Sequence, residues 1–303
     1  MILTTIYKSG EILKTDNNTV ALGTFDGLHL AHMEIIKKAM QISKENKTKC
    51  GVMFFDSLPV NSFGGNVKHL MNTAEKIEIL DTDFVYVESF NESFYNKSPE
   101  EFVEYLKTTL KAVCVCVGYN YRFGKNASGD VNSLKKLCFG YGIKVEVLPE
   151  LCENGDTVSS TRIRNCIADG NVKEAEILLG RPYCIRGIVE KGLQNGRKFG
   201  IPTANISYED GKMLPKSGVY AGYVIINNEK YSSVINIGDN PTFDGRKITV
   251  EPHIIDFNRD IYGEEITAVF AYRLRGEIKF SSVDELVEQI NKDIDKCRKD
   301  LSI

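Results

Sequence analysis

The sequence lacks tryptophan and has only four histidines and eight cysteines among its 303 residues, with no C-x-x-C pair. Scattered cysteines of this kind are not a zinc-site pattern and are typical of reduced thiols in a cytoplasmic protein. No apolar run approaches the ~20 residues of a membrane-spanning helix, and the N-terminus has no signal-peptide pattern. The net charge of -3 gives no general attraction to nucleic acid or to an anionic membrane. We therefore expect a cytoplasmic protein that binds neither.

The length suits two domains, and the apolar pattern differs between the two halves of the chain. In the first half, short apolar runs alternate with helical patterns, which predicts an α/β domain with a parallel sheet. The predicted strands are 20–25, 51–55, 84–87, 113–118 and 145–148, and the predicted helices are 32–43, 73–80, 99–110 and 131–139.

The second half has the pattern of an antiparallel β domain. Asn171 precedes a short helical stretch that Gly180 ends, and these signals predict domains of residues 1–180 and 181–303. Short strands joined by polar turns follow and are typical of a β-barrel or sandwich. An apolar stripe behind Ser282 and Glu285 predicts a closing C-terminal helix. The predicted strands are 183–190, 218–226, 231–237, 250–256 and 265–273.

Two segments of the first domain carry side chains suited to phosphate. The first is Gly23-Thr24-Phe25-Asp26-Gly27-Leu28-His29-Leu30-Ala31-His32, and the second is Ser159-Ser160-Thr161-Arg162-Ile163-Arg164. Each is placed where a strand should lead into a helix, and a helix N-terminus offers unpaired N–H groups and a positive dipole end to an anion. Two histidines three residues apart, without a set of cysteine or acidic ligands, favour nucleotidyl transfer over a metal hydrolase. We infer a nucleoside triphosphate that is held from both sides.

These segments resemble the HxGH and SSTxxR motifs of the nucleotidylyltransferases. Two further blocks, Gly118-Tyr119-Asn120-Tyr121-Arg122-Phe123-Gly124 and Pro202-Thr203-Ala204-Asn205, extend the resemblance over almost the whole chain. In this order the motifs are similar to those of the bacterial bifunctional riboflavin kinase/FMN adenylyltransferase (FAD synthetase) family. The resemblance implies a Rossmann-like nucleotidylyltransferase domain with a parallel sheet, followed by an antiparallel β-barrel of the riboflavin kinase type that a helix closes.

For the first domain, the resemblance implies transfer of AMP from ATP to FMN, which forms FAD and releases pyrophosphate. His29 and His32 would be catalytic, since they would stabilise the charge that develops on the phosphates. The residues expected to bind ATP are Gly23, Phe25, Asp26, Gly27, Asn120, Ser160, Thr161, Arg162 and Arg164.

For the second domain, the resemblance implies ATP-dependent phosphorylation of riboflavin to FMN. Glu251 would be the general base toward the primary alcohol of the flavin, and Arg275 and Asn236 would lie on the flavin side. Thr203 and Asn205 offer the oxygen ligands that suit Mg²⁺. The residues expected to bind ATP in this domain are Gly196, Lys198, Gly200, Pro202, Thr203 and Asn205.

The chain departs from the family pattern beside both sites. Ala31 replaces the glycine before the second histidine, and Ser57-Leu58 replace a Pro-His pair. We expect the altered loop to be less preorganised and adenylylation to be slower than phosphorylation. Pro252 lacks a backbone N–H, which predicts that its strand lies at a sheet edge or at a bulge.

Two alternatives to the bifunctional enzyme stay open at this point. One is a riboflavin kinase with weak or lost adenylyltransferase activity, and the other is a non-catalytic flavin-binding regulator. The intact candidate catalytic residues argue against the regulator, because a binding protein does not need them. The sequence does not indicate an oligomeric state.

Overall fold

The structure is a computed structural model that describes residues 4–192, 200–242 and 245–301. The chain forms two compact units, residues 1–160 and 161–303, and each contains a six-stranded sheet. The predicted boundary after residue 180 lies within the second unit. That boundary stays a prediction, because contacts within a folded chain do not test which fragments fold alone.

The first unit is built on a parallel sheet. Its strands are β1 (Thr5–Lys8), β2 (Asn18–Leu22), β3 (Lys49–Phe55), β4 (Phe84–Glu88), β5 (Ala112–Gly118) and β6 (Lys144–Leu148). They are arranged in the order β1-β4-β3-β2-β5-β6, and each neighbouring pair is parallel. A short hairpin follows, formed by β7 (Cys152–Glu153) and β8 (Asp156–Thr157). The predicted parallel α/β architecture is confirmed.

Helices cover both faces of this sheet, as the near-continuous apolar strands require. The helices of the first unit are α1 (Leu30–Asn46), α2 (Thr73–Ile79), α3 (Glu92–Tyr95), α4 (Pro99–Thr108) and α5 (Val131–Gly140). One apolar cluster joins α1 to Cys114 and Cys116 of β5. The other cluster joins α4 and α5 to Val115 and Val117 of the same strand. The alternating residues of β5 therefore pack against opposite layers.

The order of the strands creates a switch point between β2 and β5. From β2 the chain progresses through β3 to β4 toward one edge, whereas β5 leads to β6 at the other edge. In open parallel sheets, ligands bind at the carboxyl ends of the strands where this direction reverses. Gly23 follows β2 and Gly118 ends β5, so both glycines mark the expected ligand crevice.

The second unit contains a nearly closed antiparallel barrel. Its strands are β9 (Tyr183–Glu190), β10 (Asn205–Tyr208), β11 (Gly218–Ile226), β12 (Glu229–Thr242), β13 (Gly245–Ile254) and β14 (Glu265–Arg275). They follow the order β10-β9-β14-β11-β12-β13. Hydrogen bonds join the end strands, among them those from Ala204 N to the Pro252 carbonyl at 2.9 Å and from Tyr208 Oη to the Ile248 carbonyl at 2.6 Å. We call this join the β10–β13 seam.

Three helices complete the second unit: α6 (Ser160–Asp169), α7 (Val172–Leu179) and α8 (Val283–Asp300). α7 packs on β9 and β14. α8 packs on the outside of the barrel, where Ile294 and Cys297 join a cluster with Val219 and Ala221. The predicted closing helix is confirmed, and Ser282 caps it by accepting from the backbone N–H of Glu285 at 3.3 Å.

The sequence missed four strands, β1, the short pair β7 and β8, and β10, and it misplaced several strand ends. β1 is a mostly exposed edge strand, and β10 is four residues long and begins inside the predicted Pro202–Asn205 loop, so neither has an apolar run that periodicity could detect. The strand predicted to reach Phe25 ends at Leu22, because Phe25 has a positive φ of 50°. Pro252 lies on the end strand β13, as its missing N–H predicted.

Candidate active sites

The turn after β2 has a backbone conformation that most residues avoid. Phe25, Gly27 and Leu28 have φ values of 50°, 84° and 41°. The side chains of Phe25 and Leu28 are fully buried. A non-glycine residue in such a conformation costs about 1 kcal/mol or more, and it persists where surrounding contacts enforce it. This strain marks residues 23–28, which we call the left-handed turn, as a candidate functional segment.

Two imidazole rings follow the left-handed turn and contact each other. His29 is the N-cap of α1, and its Nδ1 accepts from the backbone N–H of His32 at 3.4 Å. The two rings stack with 3.5 Å between centroids and 16° between planes. Because His29 accepts at Nδ1, its neutral form carries the proton on Nε2, where it can serve as a donor. The predicted catalytic histidines thus lie together at the start of a helix.

Contacts from two distant segments, residues 70–76 and Ser160, hold the left-handed turn. The buried carboxylate of Asp26 accepts from the backbone N–H groups of residues 70 and 71 at 2.9 and 3.3 Å. Ser160 Oγ donates to the Asp26 carbonyl at 2.8 Å, and Lys76 Nζ donates to the Thr24 carbonyl at 3.2 Å. Asp26 and Ser160 therefore shape the turn, and their predicted contacts with ATP stay predictions.

Sequence reasoning did not select Lys76. Its side chain is only 4% exposed, although lysine is one of the residue types least often fully buried. The one signal in the sequence is its spacing, since Lys76 lies four residues before the buried Leu80 and so shares an apolar helix face.

The remaining predicted ATP ligands of the first site occupy less enclosed positions. Asn120 is exposed just beyond the carboxyl end of β5, at the switch point. Thr161, Arg162 and Arg164 lie in the first turns of α6. Arg162 forms an ion pair of 2.6 Å with Glu174 of α7. The pair neutralises part of its charge, and the assignments of these four residues to ATP stay predictions.

Aromatic side chains gather at the carboxyl ends of β3 and β4. Phe55 ends β3 and lies 4.8 Å from Phe90, measured between ring centroids. Phe63 is 6.1 Å from Phe90 and 5.1 Å from Tyr95, and it is 63% exposed. Exposed aromatic rings on the ligand edge of a sheet offer a stacking surface to a planar ring. The sequence analysis missed this cluster because its members are spread over forty residues.

The altered loop after β3 is packed. Leu58 is 8% exposed and precedes a 3₁₀ turn that begins at Pro59. The carboxylate of Asp56 accepts from Ser89 Oγ at 2.8 Å. Leu58 thus has a packing role that its departure from the family pattern did not predict.

The second site forms at the β10–β13 seam. Besides the hydrogen bond from Ala204 to Pro252, the Nδ1 of His253 lies 2.8 Å from the Pro202 carbonyl. A carbonyl only accepts, so this ring nitrogen is the donor. On one strand end the bonded residues lie on either side of Thr203, and on the other they directly follow Glu251 in the sequence. They bring the predicted metal ligand and the predicted base to the same part of the seam.

The carboxamide of Asn205, the other predicted metal ligand, lies against Gly192. A Cβ atom on Gly192 would fall 2.1 Å from Asn205 Nδ2, so this space accommodates the amide only because residue 192 lacks a side chain. Gly200 has a positive φ of 74° and precedes this segment. Two predicted ATP-binding residues, Gly196 and Lys198, lie outside the described residues.

Register places the predicted base and the two predicted flavin-side residues in one row across four strands. Asn236 is directly opposite Glu251 in the β12–β13 pair, and Val219 is opposite both Asn236 and Arg275. Directly opposed residues of antiparallel strands share a face, and the face of Val219 packs on α8. Arg275 Nε accordingly donates to Asp293 of α8 at 2.9 Å. The structure thus brings Glu251, Asn236 and Arg275 to one level of one face.

Both units match known families. A model of the FAD synthetase family matches residues 12–162, and a model of the riboflavin kinase family matches residues 179–301. Bifunctional riboflavin kinase/FMN adenylyltransferases from Listeria monocytogenes, Bacillus subtilis and Escherichia coli are 37%, 35% and 33% identical to this chain. The three alignments cover 91%, 91% and 90% of the chain and 90% of each relative.

The chain belongs to the bifunctional riboflavin kinase/FMN adenylyltransferase family. It is an enzyme with a FAD synthetase domain on the parallel sheet and a riboflavin kinase domain on the barrel. The resemblance that the motifs indicated is confirmed in the same order along the chain.

The family's two-unit architecture also matches a solved structure. A crystal structure described as a macrolide-efflux protein from Streptococcus pneumoniae covers 98% of this chain and 99% of its own, with a TM-score of 0.89 and 33% identity. The word efflux belongs to the description of that structure and is not carried over to this chain. Among the described residues of this riboflavin kinase/FMN adenylyltransferase, no helix has the length and apolar character needed to cross a bilayer.

Proposed function

We propose that this chain phosphorylates riboflavin at the β10–β13 seam and adenylylates the resulting FMN at the left-handed turn, with ATP as the second substrate of both steps. The observation that carries the proposal is the stacked pair of His29 and His32. The pair follows a conformationally strained turn and lies at the start of a helix, beside the switch point of the sheet. Phosphoryl chemistry needs little more from a protein than positioned charge, and both sites offer it.

In the adenylylation step, an oxygen of the FMN phosphate attacks the α-phosphorus of ATP, and the bond to pyrophosphate breaks. Nε2 of His29 and the ring of His32 stabilise the negative charge that builds up during this exchange. The backbone N–H groups at the start of α1 add to this stabilisation. We assign the isoalloxazine ring of FMN to the cluster of the exposed Phe63 with the partly buried Phe90 and Tyr95, because a flat aromatic ring stacks on such side chains.

In the kinase step, Glu251 accepts the proton of the flavin's primary hydroxyl while that oxygen attacks the γ-phosphorus and ADP leaves. Asn236 lies directly opposite Glu251 and is placed to orient the hydroxyl or the flavin chain. The row ends at Arg275, which we also assign to the flavin side of the site.

Thr203 and Asn205 fit a magnesium ion by the chemistry of their donors. A hydroxyl and a carboxamide oxygen are hard ligands, and the space beside Gly192 accommodates the carboxamide. Within the described ranges there is no group of three His, Cys, Asp or Glu suited to a metal, so the ion would share phosphate oxygens and waters, as Mg²⁺ usually does. When bound, it would neutralise charge on the transferred phosphate. We place the reactions in the cytoplasm, since all eight cysteines are free.

The test is to incubate the purified chain with riboflavin, ATP and MgCl₂ and to separate the flavins by chromatography. We expect FMN and then FAD, and neither product when EDTA replaces MgCl₂. FMN without FAD would leave a riboflavin kinase with a lost second activity. Flavin binding without any product would support the non-catalytic regulator and overturn the proposal.

A further inference from the structure

The ammonium group of Lys76 is enclosed next to the adenylyltransferase site. It lies under the left-handed turn, where its side chain is 4% exposed. Nζ donates to the Thr24 carbonyl at 3.2 Å and lies 4.7 Å from the centroid of the Phe54 ring. An ammonium has three donors, and among the described residues the Thr24 carbonyl is its hydrogen-bond acceptor.

This environment does not favour a charged amine. Burial lowers the pKa of Lys76, and the charge of Asp26 opposes that shift without removing it. Desolvation of a buried ammonium costs several kcal/mol, and the one hydrogen bond and the charge of Asp26 offset this cost only in part. Packing alone therefore does not explain a lysine here, and a methionine would fill the same space.

The position of the amine indicates what it does. Thr24 immediately precedes Phe25, the first residue of the turn with a positive φ of 50°. The turn leads directly into the N-cap His29, so the orientation of the Thr24 peptide influences where both imidazoles point. The other hydrogen bonds to the turn, from residues 70–71 and Ser160, are made to Asp26. Lys76 holds the opposite side of Phe25.

We propose that Lys76 is a positioning residue of the adenylyltransferase site, whose hydrogen bond to the Thr24 carbonyl fixes the left-handed turn and thereby the catalytic orientation of His29 and His32. This inference rests on the proposed adenylylation at that turn. It assigns Lys76 no contact with ATP or FMN.

The test compares Lys76→Met with Lys76→Arg in the full chain. Lys37→Met serves as a control for the loss of a lysine, because Lys37 lies on α1 with its side chain 63% exposed. Each protein is assayed for FAD formation from FMN and for FMN formation from riboflavin, and its melting temperature is measured. We expect Lys76→Met to lower kcat for FAD formation by roughly tenfold or more and to change KM for ATP by less than about threefold. Its melting temperature and kinase rate should equal or exceed those of the wild type. Lys76→Arg should recover most of the loss.

A second readout follows the imidazoles directly. The chain has four histidines, and NMR correlation spectra of their rings report local geometry. Lys76→Met should shift the signals of His29 and His32 and leave the signals of His253, in the other unit, unchanged.

Three results would overturn the proposal. They are an unchanged rate of FAD formation, a fall in melting temperature or failure to fold in Lys76→Met, and unmoved signals of His29 and His32. Absence of FAD formation by the wild type would instead reject the proposed function itself, and it is therefore measured first.

Discussion

The two sites of this chain obtain their geometry in different ways. The candidate adenylyltransferase site depends on a strained turn that contacts hold from two segments distant in sequence. The kinase site uses the regular register of antiparallel strands and a seam joined by hydrogen bonds near the surface. A change near the first site should therefore disturb geometry over a longer range, whereas a change at the second should act locally.

The sharpest separation of the two sites is expected from Glu251→Gln. Glutamine keeps the size and hydrogen-bonding capacity of the side chain but cannot accept the proton, and loss of a general base typically costs 10²–10⁴-fold in rate. FMN formation from riboflavin should fall by that factor, while FAD formation from added FMN should stay at the wild-type rate. An equal loss of both activities in a folded variant would contradict the assignment of Glu251 to one site.

The histidine pair should give the next largest effect. His29→Ala and His32→Ala should each lower kcat for FAD formation by about a hundredfold, since loss of one preorganised donor costs roughly 3 kcal/mol in comparable sites. The affinity for ATP should change little, because the interaction is made chiefly in the transition state. The measurement is steady-state kinetics with FMN and ATP. An unchanged output of FAD would assign the rings to packing.

A substitution of His253 at the β10–β13 seam tests the geometry of the candidate kinase site. His253→Phe removes the donor to the Pro202 carbonyl, so the segment that carries Thr203 should lose its fixed distance from Glu251. We expect roughly tenfold slower FMN formation with unchanged FAD formation from FMN. His253→Asn, which keeps a donor near the position of Nδ1, should recover much of the rate. Equal rates in the Phe variant and the wild type would show that the backbone hydrogen bond from Ala204 suffices.

Two fragments test where the second unit begins. The predicted second domain, residues 181–303, excludes α7, yet α7 packs on β9 and β14, and the backbone N–H of Lys216 donates to the Ile167 carbonyl at 3.1 Å. We expect residues 161–303 to melt at least ~5 °C higher than residues 181–303, as a loss of 1–2 kcal/mol implies in a domain of this size. The measurement is thermal unfolding by circular dichroism. Equal melting temperatures would support the boundary after residue 180.

The smallest effects are expected at the loop that departs from the family pattern. Ser57→Pro should raise the rate of FAD formation by less than about threefold, through a smaller entropy of the free loop. Leu58→His should lower the stability of the first unit by about 1–3 kcal/mol, because Leu58 is buried and the imidazole would need a polar partner there. Rates and melting temperatures of the two single variants separate these effects. A higher rate of FAD formation in Leu58→His would restore the view that histidine belongs at this position.

The sequence predicts site residues that lie in contiguous motifs better than site residues that only tertiary packing brings together. His29, His32 and Glu251 could be predicted as site residues because their motifs are contiguous and chemically distinctive. Lys76 and the aromatic cluster around Phe63 could not be predicted, because their nearness to the candidate site exists only after distant segments pack together. Phe25 was placed in a strand because its buried ring fits the apolar run, and no local pattern signals that tertiary contacts drive its φ positive.

The ion pair between Arg275 and Asp293 has a consequence for the end of the kinase cycle. Both side chains are largely enclosed, at 16% and 7% exposure, so the guanidinium would bring little net positive charge to the proposed flavin side. Riboflavin is uncharged, whereas FMN carries a phosphate. An uncompensated arginine would hold the product more tightly than the substrate and slow its departure. In the proposed kinase site we therefore expect Asp293, on the closing helix, to favour release of FMN from the barrel domain.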